Sequence, residues 1–302
     1  MEKILRDFED TLIKILHKLY FLFSDKQYIK LRWRIRMKHR LNLENPKTFC
    51  EKIQWLKLYH RKPEYTEMVD KYAVKEYVAK KIGEEFIIPT IALWKRPEDI
   101  DWNTLPDSFV LKTTHGGGSG GVVICKNKAK LNKEAAIKKL KKSYRSDIYK
   151  THREWPYKNV PKQVIAEVLM EDNNSINKSQ DLSDYKFFCF NGEPWYCQVI
   201  RDRSTKETID FYDMQWKHMP FVGLNPRVPN GTTSVPKPSK LDKMIDICRK
   251  LSDNIPFVRI DLYLINDKIY FGEITFYPAT GIGRFKPQEW DFDLGKLLIL
   301  PN

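Results

Sequence analysis

Two acids and an arginine near the end of the chain have the types and spacing to organise a divalent cation. Asp261 lies in VRIDLYL and Glu273 in YFGEITF, two apolar runs joined at Asn266-Asp267, a pair suited to a tight hairpin turn. Counted outward from that turn, the carboxylates are five and six positions away, which makes them near neighbours across the strand pair. Buried together they would repel and lose solvation, so positive charge must compensate them. Arg259 shares the face of Asp261 by strand alternation and offers a salt bridge to either acid. A bound Mg²⁺ offers the alternative, since one or two carboxylates plus nucleotide phosphates are its usual oxygen ligands. The residues alone leave both open.

A second concentration of chemistry is HGGGSGG at 115–121, which places five of the 13 glycines in six positions between the strand-like runs FVLKTT and GVVIC. Without side chains, successive backbone N–H groups can wrap an anion such as a polyphosphate. The loop joins two strands. It is therefore neither a Walker A loop nor a Rossmann fingerprint, both of which open a helix, and its readings are a phosphate flap or a plain hairpin connection. Lys112, three residues before the loop, either reaches a phosphate as a point charge or faces outward as an ordinary strand lysine. None of the six histidines forms a persuasive pair. His115, at the mouth of the loop, either touches a phosphate or is an exposed turn residue. Arg153 and Glu154 in HREWPYKN either shape an acceptor pocket or pack a connection.

The elements that must position these groups follow from periodicity. Ile4, Leu5, Phe8, Leu12, Ile15, Leu16 and Leu19 recur at helical spacing, and KQYIKLRWRIRMKHR follows with basic and apolar residues interleaved. Residues 44–60 predict a capped helix starting near Asn45 or Thr48 with Glu51 in its first turn. Residues 64–82 predict one helix ending at Gly83. Strand-like runs occupy 85–94, 108–113, 121–125, 164–170, 184–191 and 194–202. Residues 131–149 predict a lysine-rich helix and 240–252 another, ahead of the hairpin at 257–276. The expected class is α+β, divided into a helical region 1–80, a middle unit 81–170 and a C-terminal unit 171–302.

Composition bounds the function. The 302 residues are 42% hydrophobic and 13% aromatic, too apolar for general disorder. No run is long and apolar enough to span a bilayer. The five cysteines (50, 125, 189, 197 and 248) are odd in number and lack CxxC spacing; this argues against a disulfide framework or zinc site and fits the cytoplasm. The net charge of +14 points to an anionic partner. Residues 1–40 hold 11 Lys and Arg against 5 Asp and Glu. They form either a helix packed on the body or an attachment to an anionic membrane face. No recognition motif accompanies the charge, so a nucleic-acid partner is not expected.

Taken in order, these features resemble the ATP-grasp superfamily of carboxylate–amine ligases. ENPKTFCEKIQWLKL, VDKYAVKEYV, REWPYKNV, DYKFFCFNG and FGEITFYP resemble its TupA-like branch, named for teichuronopeptide synthesis and found among bacterial surface-polysaccharide genes. The resemblance spans residues 40–300. It implies two α+β subdomains sandwiching ATP, with Lys71 and Lys112 on the phosphates and His115, Gly116, Gly117, Gly118, Ser119, Gly120 and Gly121 forming the flap. It further implies Glu167 and Met170 at the adenine and Asp184 at the ribose. Lys217, beyond FYD, would face a phosphate, and Arg259 would steady the transferring phosphoryl group. Asp261 and Glu273 would be Mg²⁺ ligands. Thr275 stands where many ligases have Asn and would be a third Mg²⁺ ligand through its neutral, shorter oxygen, so the second Mg²⁺ site departs from the pattern. The helical front also departs from the βαβ layers by which many members bind their acceptor.

The implied reaction converts a carboxylate to an acyl phosphate with ATP, after which an amine displaces phosphate. The implied partners are a uronic acid on a surface polysaccharide or its nucleotide- or lipid-linked precursor, and an amine such as an amino acid. Two other enzymatic readings stand beside it. A glycosyltransferase, a label often attached to this branch, would need an Asp-x-Asp-like motif, for which RDR at 201–203 and DFD at 291–293 are the nearest strings. A kinase would use the same phosphoryl-transfer apparatus on a hydroxyl. A non-catalytic basic scaffold would need residues 1–40 but not Lys112, Arg259, Asp261 and Glu273 together.

Overall fold

The computed structural model describes residues 2–173, 182–202, 205–225 and 227–301; Ser119 and residues 2–5 are described by their backbone alone. Five helices lead the chain: α1 (Glu2–Lys18), α2 (Asp25–Met37), α3 (Phe49–Tyr59), α4 (Glu64–Val69) and α5 (Ala73–Ile82). Ser24 and Thr48 cap α2 and α3 through complete capping boxes with Gln27 and Glu51, each satisfying backbone donors at a helix start. The single helix expected over 64–82 is two. Asp70 Oδ1 accepts from Tyr72 N at 2.9 Å and Ala73 N at 3.4 Å, and this local competition for backbone donors breaks the helix. Lys71 is left in the break, its own N–H donating to Thr114 O at 3.0 Å.

The strands β1 (Thr90–Trp94), β2 (Phe109–Thr113), β3 (Val122–Cys125) and, after α6 (Lys133–Tyr144) and α7 (Ile148–His152), β4 (Val164–Glu167) form an antiparallel sheet in the order β1-β4-β2-β3. The lysine-rich helix expected over 131–149 thus ends at Tyr144. The strands β5 (Asp184–Phe190), β6 (Glu193–Arg201) and β7 (Thr208–Asp213) join β9 (Phe257–Ile265) and β10 (Lys268–Thr275) in a second antiparallel sheet, ordered β10-β9-β5-β6-β7. Helix α8 (Leu241–Ser252) packs on this sheet, α9 (Glu289–Leu297) closes the described chain against α3, and β8 (Val222–Leu224) pairs with β11 (Arg284–Lys286).

The apolar residues sort into a large core and smaller ones. One cluster, its buried members running from Ile100 to Ala166 with Ile91, Ala92 and Trp94 packed against them, underlies the first sheet with α6. The large core joins helices α2–α5 to the second sheet, α8 and α9, so that Trp33, Phe49, Ile53, Val78, Phe188, Phe257 and Leu298 share it. A small third cluster of Ile13, Leu16 and Tyr28 pins α1 to α2.

Candidate active site

The hairpin β9–β10 turns through Asn266 (φ 49°) and Asp267 (φ 61°), both left-handed as a two-residue turn between twisted strands requires. Its ladder runs evenly to Phe271↔Leu262, then slips by one residue so that Glu273 stands opposite Asp261. In an uninterrupted ladder Glu273 would oppose Ile260 and point to the other face. Gly272 is the extra residue, and a Cβ there would come within 3.0 Å of the Asp261 carbonyl oxygen and the Tyr263 ring. The bulge therefore places both carboxylates on one face.

Positive charge surrounds the pair. Arg259 donates to Asp261 through Nε at 2.7 Å and Nη2 at 2.8 Å, and its Nη2 also donates to Thr275 Oγ1 at 3.1 Å. Lys186 of β5, opposite Asp261 in register, donates to Asp261 Oδ2 and lies 3.3 Å from Asp184 Oδ2. The salt-bridge alternative is thus realised within β9. Thr275, expected as a metal ligand, commits its hydroxyl oxygen to the arginine, because register pairs the two residues. Burial alone would raise the Glu273 carboxyl, but the charges of Lys71, Arg259 and Lys186 hold it below its ordinary range.

The glycine loop meets this cluster through Lys71. Its ammonium donates to the Gly116 carbonyl and lies 3.4 Å from Glu273 Oε1. The loop is anchored at its ends and open at its tip. Thr113 Oγ1 and Ser143 Oγ are 2.7 Å apart beneath it. A Cβ on Gly121 would come 2.1 Å from Ser143 Oγ, so only glycine allows that approach. Gly117, Gly118 and Gly120 are exposed, and the backbone from Ser119 to Gly121 forms a 3-10 turn; the side chain of Ser119 lies outside the described residues. Lys112, on β2, is 2.5 Å from Glu167 Oε2, and Lys75 of α5 is 2.6 Å from Glu167 Oε1. Burial would raise Glu167, but the two lysines together hold it low. Met170 follows β4, half-buried.

Other expected residues are placed elsewhere. His115 is buried, not exposed, with Nε2 3.2 Å from Tyr144 O; burial holds its imidazole at about 4, so it stays neutral at physiological pH. Lys217 is exposed in the turn after β7. Its strand is separated from β9 by β5 and β6, roughly 14 Å at ordinary strand spacing, so topology keeps it out of the cluster. The lysines at the carboxylate pair are Lys186 and Lys71. Arg153 ties down the N-terminal segment: Nη2 donates to Tyr20 O at 2.5 Å and Phe23 O at 3.2 Å, with the guanidinium 4.4 Å from the Tyr28 ring centre. In DFD, Asp291 is buried in α9 and accepts from Cys50 N at 2.9 Å, a structural duty at the start of α3. Of RDR, Arg201 pairs with Asp210, while Arg203 lies outside the described residues.

The sequence reading passed over Lys75 and Lys186. The signal for Lys186 was present in DYKFFCF, where alternation puts it on the face of Asp184. For Lys75 nothing local distinguishes it from the other helix lysines. Among the described residues no three His, Cys, Asp or Glu side chains gather around one point. Two opposed carboxylates nevertheless match Mg²⁺, which needs only one or two when phosphate oxygens complete its shell.

A family model described as TupA-like ATPgrasp matches residues 51–299. No curated protein matches the sequence. Similar solved structures include D-alanine–D-alanine ligase from Bacillus anthracis complexed with ATP, with 14% identity over 70% of this chain and 54% of that one and a TM-score of 0.39. The Helicobacter pylori D-alanine–D-alanine ligase shares 15% over 85% and 70%, at a TM-score of 0.43. The ATP-grasp ligase PsnB complexed with minimal precursor, Mg and ADP shares 9% over 75% and 57%, at 0.37. This chain thus spans little more than half the length of the first and last of these. With the family model covering most of its length, the chain belongs to the TupA-like ATP-grasp family.

Proposed function

We propose that this protein is an ATP- and Mg²⁺-dependent carboxylate–amine ligase. It would join an amine to the carboxylate of a surface-polysaccharide precursor, a uronic acid, through an acyl phosphate. The observation that carries this reading is Lys71, whose ammonium contacts the glycine loop and Glu273 at once, so that a triphosphate bound under the loop would lie against the carboxylate pair. Lys71 and Lys112 would bind phosphate oxygens and residues 116–121 would cover them. Glu167 and Met170 would border the adenine, and Asp184 the ribose. Asp261 and Glu273 would hold the metal, which when bound neutralises charge on the phosphates.

The remaining work belongs to positioning and electrostatics. The substrate carboxylate attacks the γ-phosphorus and ADP leaves. Arg259, held by Asp261 and Thr275, would steady the charge spread over the transferring group. The amine then attacks the acyl carbon and phosphate departs. The glycine loop excludes water that would hydrolyse the intermediate.

Calorimetric titration with Mg-ATP is the first test, and no binding overturns the reading. With binding in hand, D-glucuronate and UDP-glucuronate are supplied with a panel of amines, and the product is weighed by mass spectrometry. An amide is expected; a phosphoester would make the protein a kinase instead.

We also place the enzyme at the cytoplasmic face of an anionic membrane, attached through residues 1–40. No helix among the described residues is long and apolar enough to cross a membrane. Instead Phe8, Ile15, Leu19, Phe21 and Leu22 are each at least 39% exposed, beside exposed Lys14, Lys18, Lys26, Lys30 and Arg34.

A further inference from the structure

The lysines of α6 and of the connection leading into it have no part in the site described above. Residues 126–145 hold nine Lys and Arg against one Glu, an excess of eight. Residues 1–40 carry an excess of six, and together the two segments equal the whole net charge of +14. The rest of the chain is balanced.

The fold uses only some of these cations. Lys128 Nζ donates to Trp102 O at 3.3 Å and to Leu105 O, Lys133 lies 5.5 Å from the centre of the Trp102 ring, and Lys141 pairs with Glu98 at 2.9 Å. The other six, Lys126, Lys130, Lys138, Lys139, Lys142 and Arg145, are exposed and have no acid partner among the described residues. Four of the six crowd the helix and its C-cap. Lys138 and Lys142 are four residues apart, and Lys142 stands three from both Lys139 and Arg145, spacings at which like charges meet and weaken a helix. The helix dipole favours cations in the last turn alone, which leaves Lys138 and Lys139 unaccounted for. Packing requires only the buried Ala136 and Leu140. Folding gains nothing from this repulsion, and an anionic partner removes it.

The form of the patch selects the partner. At 3.6 residues per turn, Lys138, Lys139, Lys142 and Arg145 spread over an arc of roughly 120°, and Lys126 and Lys130 add charge on the connection from β3. Such an array suits a broad surface better than a single strand of polymer. Residues 126–145 expose no aromatic side chain, Tyr144 being half-buried, so rings of a nucleic acid have no stacking platform here. The neighbouring surface is apolar. Four residues beyond Arg145, a distance of at most about 14 Å, Tyr149 of α7 donates its hydroxyl to Asp25 Oδ1 at 3.0 Å. Lys150 lies 5.4 Å from the centre of the Tyr20 ring, and Tyr28 donates its hydroxyl to Thr151 O at 2.9 Å. The C-terminal end of α6 is thereby brought near Phe21 and Leu22, which are 67% and 61% exposed. Acyl chains give such side chains a place to bury, and a hydrated polyanion does not.

We propose that the exposed basic face of α6 is a second membrane contact, seated on anionic headgroups beside the N-terminal segment. It rests on the membrane reading of residues 1–40 and stands apart from the ligase chemistry. The face carries no large apolar side chain, so it adds affinity and orientation without holding a bilayer by itself. Clusters of four to eight basic residues on a helix are the usual form of such a site.

The test is sedimentation of the full chain with phosphatidylglycerol vesicles, alongside phosphatidylcholine vesicles and a heparin column. A basic residue near an anionic surface contributes about five-fold in affinity. Lys138→Gln, Lys139→Gln, Lys142→Gln and Arg145→Gln together should therefore weaken binding to phosphatidylglycerol ten-fold or more at low salt. The loss should shrink at high salt, where exposed charges are screened, and be absent on phosphatidylcholine. Melting temperature and Mg-ATP affinity should match wild type. Should the quadruple variant melt lower, Lys138→Gln with Lys139→Gln gives the same comparison, with a loss of five-fold or more expected. Smaller losses overturn this contact and leave attachment through residues 1–40 standing. A variant that loses heparin binding but keeps its affinity for the vesicles assigns the face to a soluble polyanion and overturns it too. Wild-type protein that does not pellet with phosphatidylglycerol overturns both attachments and leaves the ligase reading untouched.

Discussion

The carboxylate pair shows how differently two acids at one site can be held. Asp261 is buried and accepts three charged hydrogen bonds, two from Arg259 and one from Lys186, whereas Glu273 is half-buried and leans on Lys71. Neutralising Asp261 leaves two buried cations short of their acceptor, and breaking such a pair costs about 3–5 kcal/mol. Glu273→Gln is therefore the cleaner probe. Turnover should fall by about 100-fold or more, as loss of a charge that acts in the transition state does, with the melting temperature nearly unchanged; Asp261→Asn should lose activity and melt markedly lower. Wild-type rates in Glu273→Gln would refute its assignment. Glu167 gives a pH prediction. Lys112 and Lys75 hold its folded-state carboxyl below the ordinary value of 4.5, so the native state binds fewer protons than the unfolded chain in the window just below that value. Its contribution to stability is present above the unfolded value and lost as pH falls through the lowered folded one. Urea unfolding across that acid range should show a shallower pH dependence in Glu167→Gln than in wild type; identical slopes would remove Glu167 from the account.

At the scale of elements, local signals announced most of what positions the site. The capping residues of α3, the Asn266-Asp267 turn and the apolar runs that become β5, β6, β9 and β10 are short-range effects, legible because neighbouring residues cause them. Two devices were not legible. The helix over 64–82 carries an unbroken apolar period, and only the side chain of Asp70 turning back on its own backbone stops it, which frees Lys71 to reach the loop. The one-residue slip at Gly272 is likewise silent, although the unequal count of positions from the turn is its trace. Buried Lys57 was also illegible. Lysine is rarely buried unless paired, and its partner Thr280 lies 223 residues away in sequence. The slip makes a prediction of its own. Gly272→Val forces a side chain against the Asp261 carbonyl and Tyr263, so the strand must shift and the carboxylates separate. Activity should fall by more than about ten-fold while the loss of stability stays within the 1–3 kcal/mol typical of overpacking. Full activity in this variant would show that the bulge does not set the site.

Across the whole molecule, charge and apolar surface are unevenly spread, and the unevenness is sharpest at α1 and α2. Helix α1 has two apolar stripes. Ile13 and Leu16 are buried against Tyr28, and Arg36 and Lys38 fasten the same helix through Glu9 and Asp10. Phe8 and Ile15 stand seven residues apart on the side left uncovered, and Leu19 and Leu22, just beyond the helix, are exposed as well. A helix that needed only to pack on the body would have polar residues there. With exposed lysines and arginines alongside, the surface matches an interfacial helix that buries apolar side chains among acyl chains and gains about 1 kcal/mol from each basic residue near anionic headgroups. The two contributions separate by experiment. Phe8→Glu with Ile15→Glu should abolish pelleting with phosphatidylglycerol vesicles. Lys26→Gln, Lys30→Gln and Arg34→Gln together should weaken it, more at low salt than at high, because these exposed charges are screened over about a Debye length. Both variants leave Ile13, Leu16 and the reaction centre untouched, so each should melt like wild type and bind Mg-ATP equally well. If the doubly acidic variant still pellets, the uncovered stripe serves some other partner, and attachment to the membrane falls without disturbing the ligase chemistry.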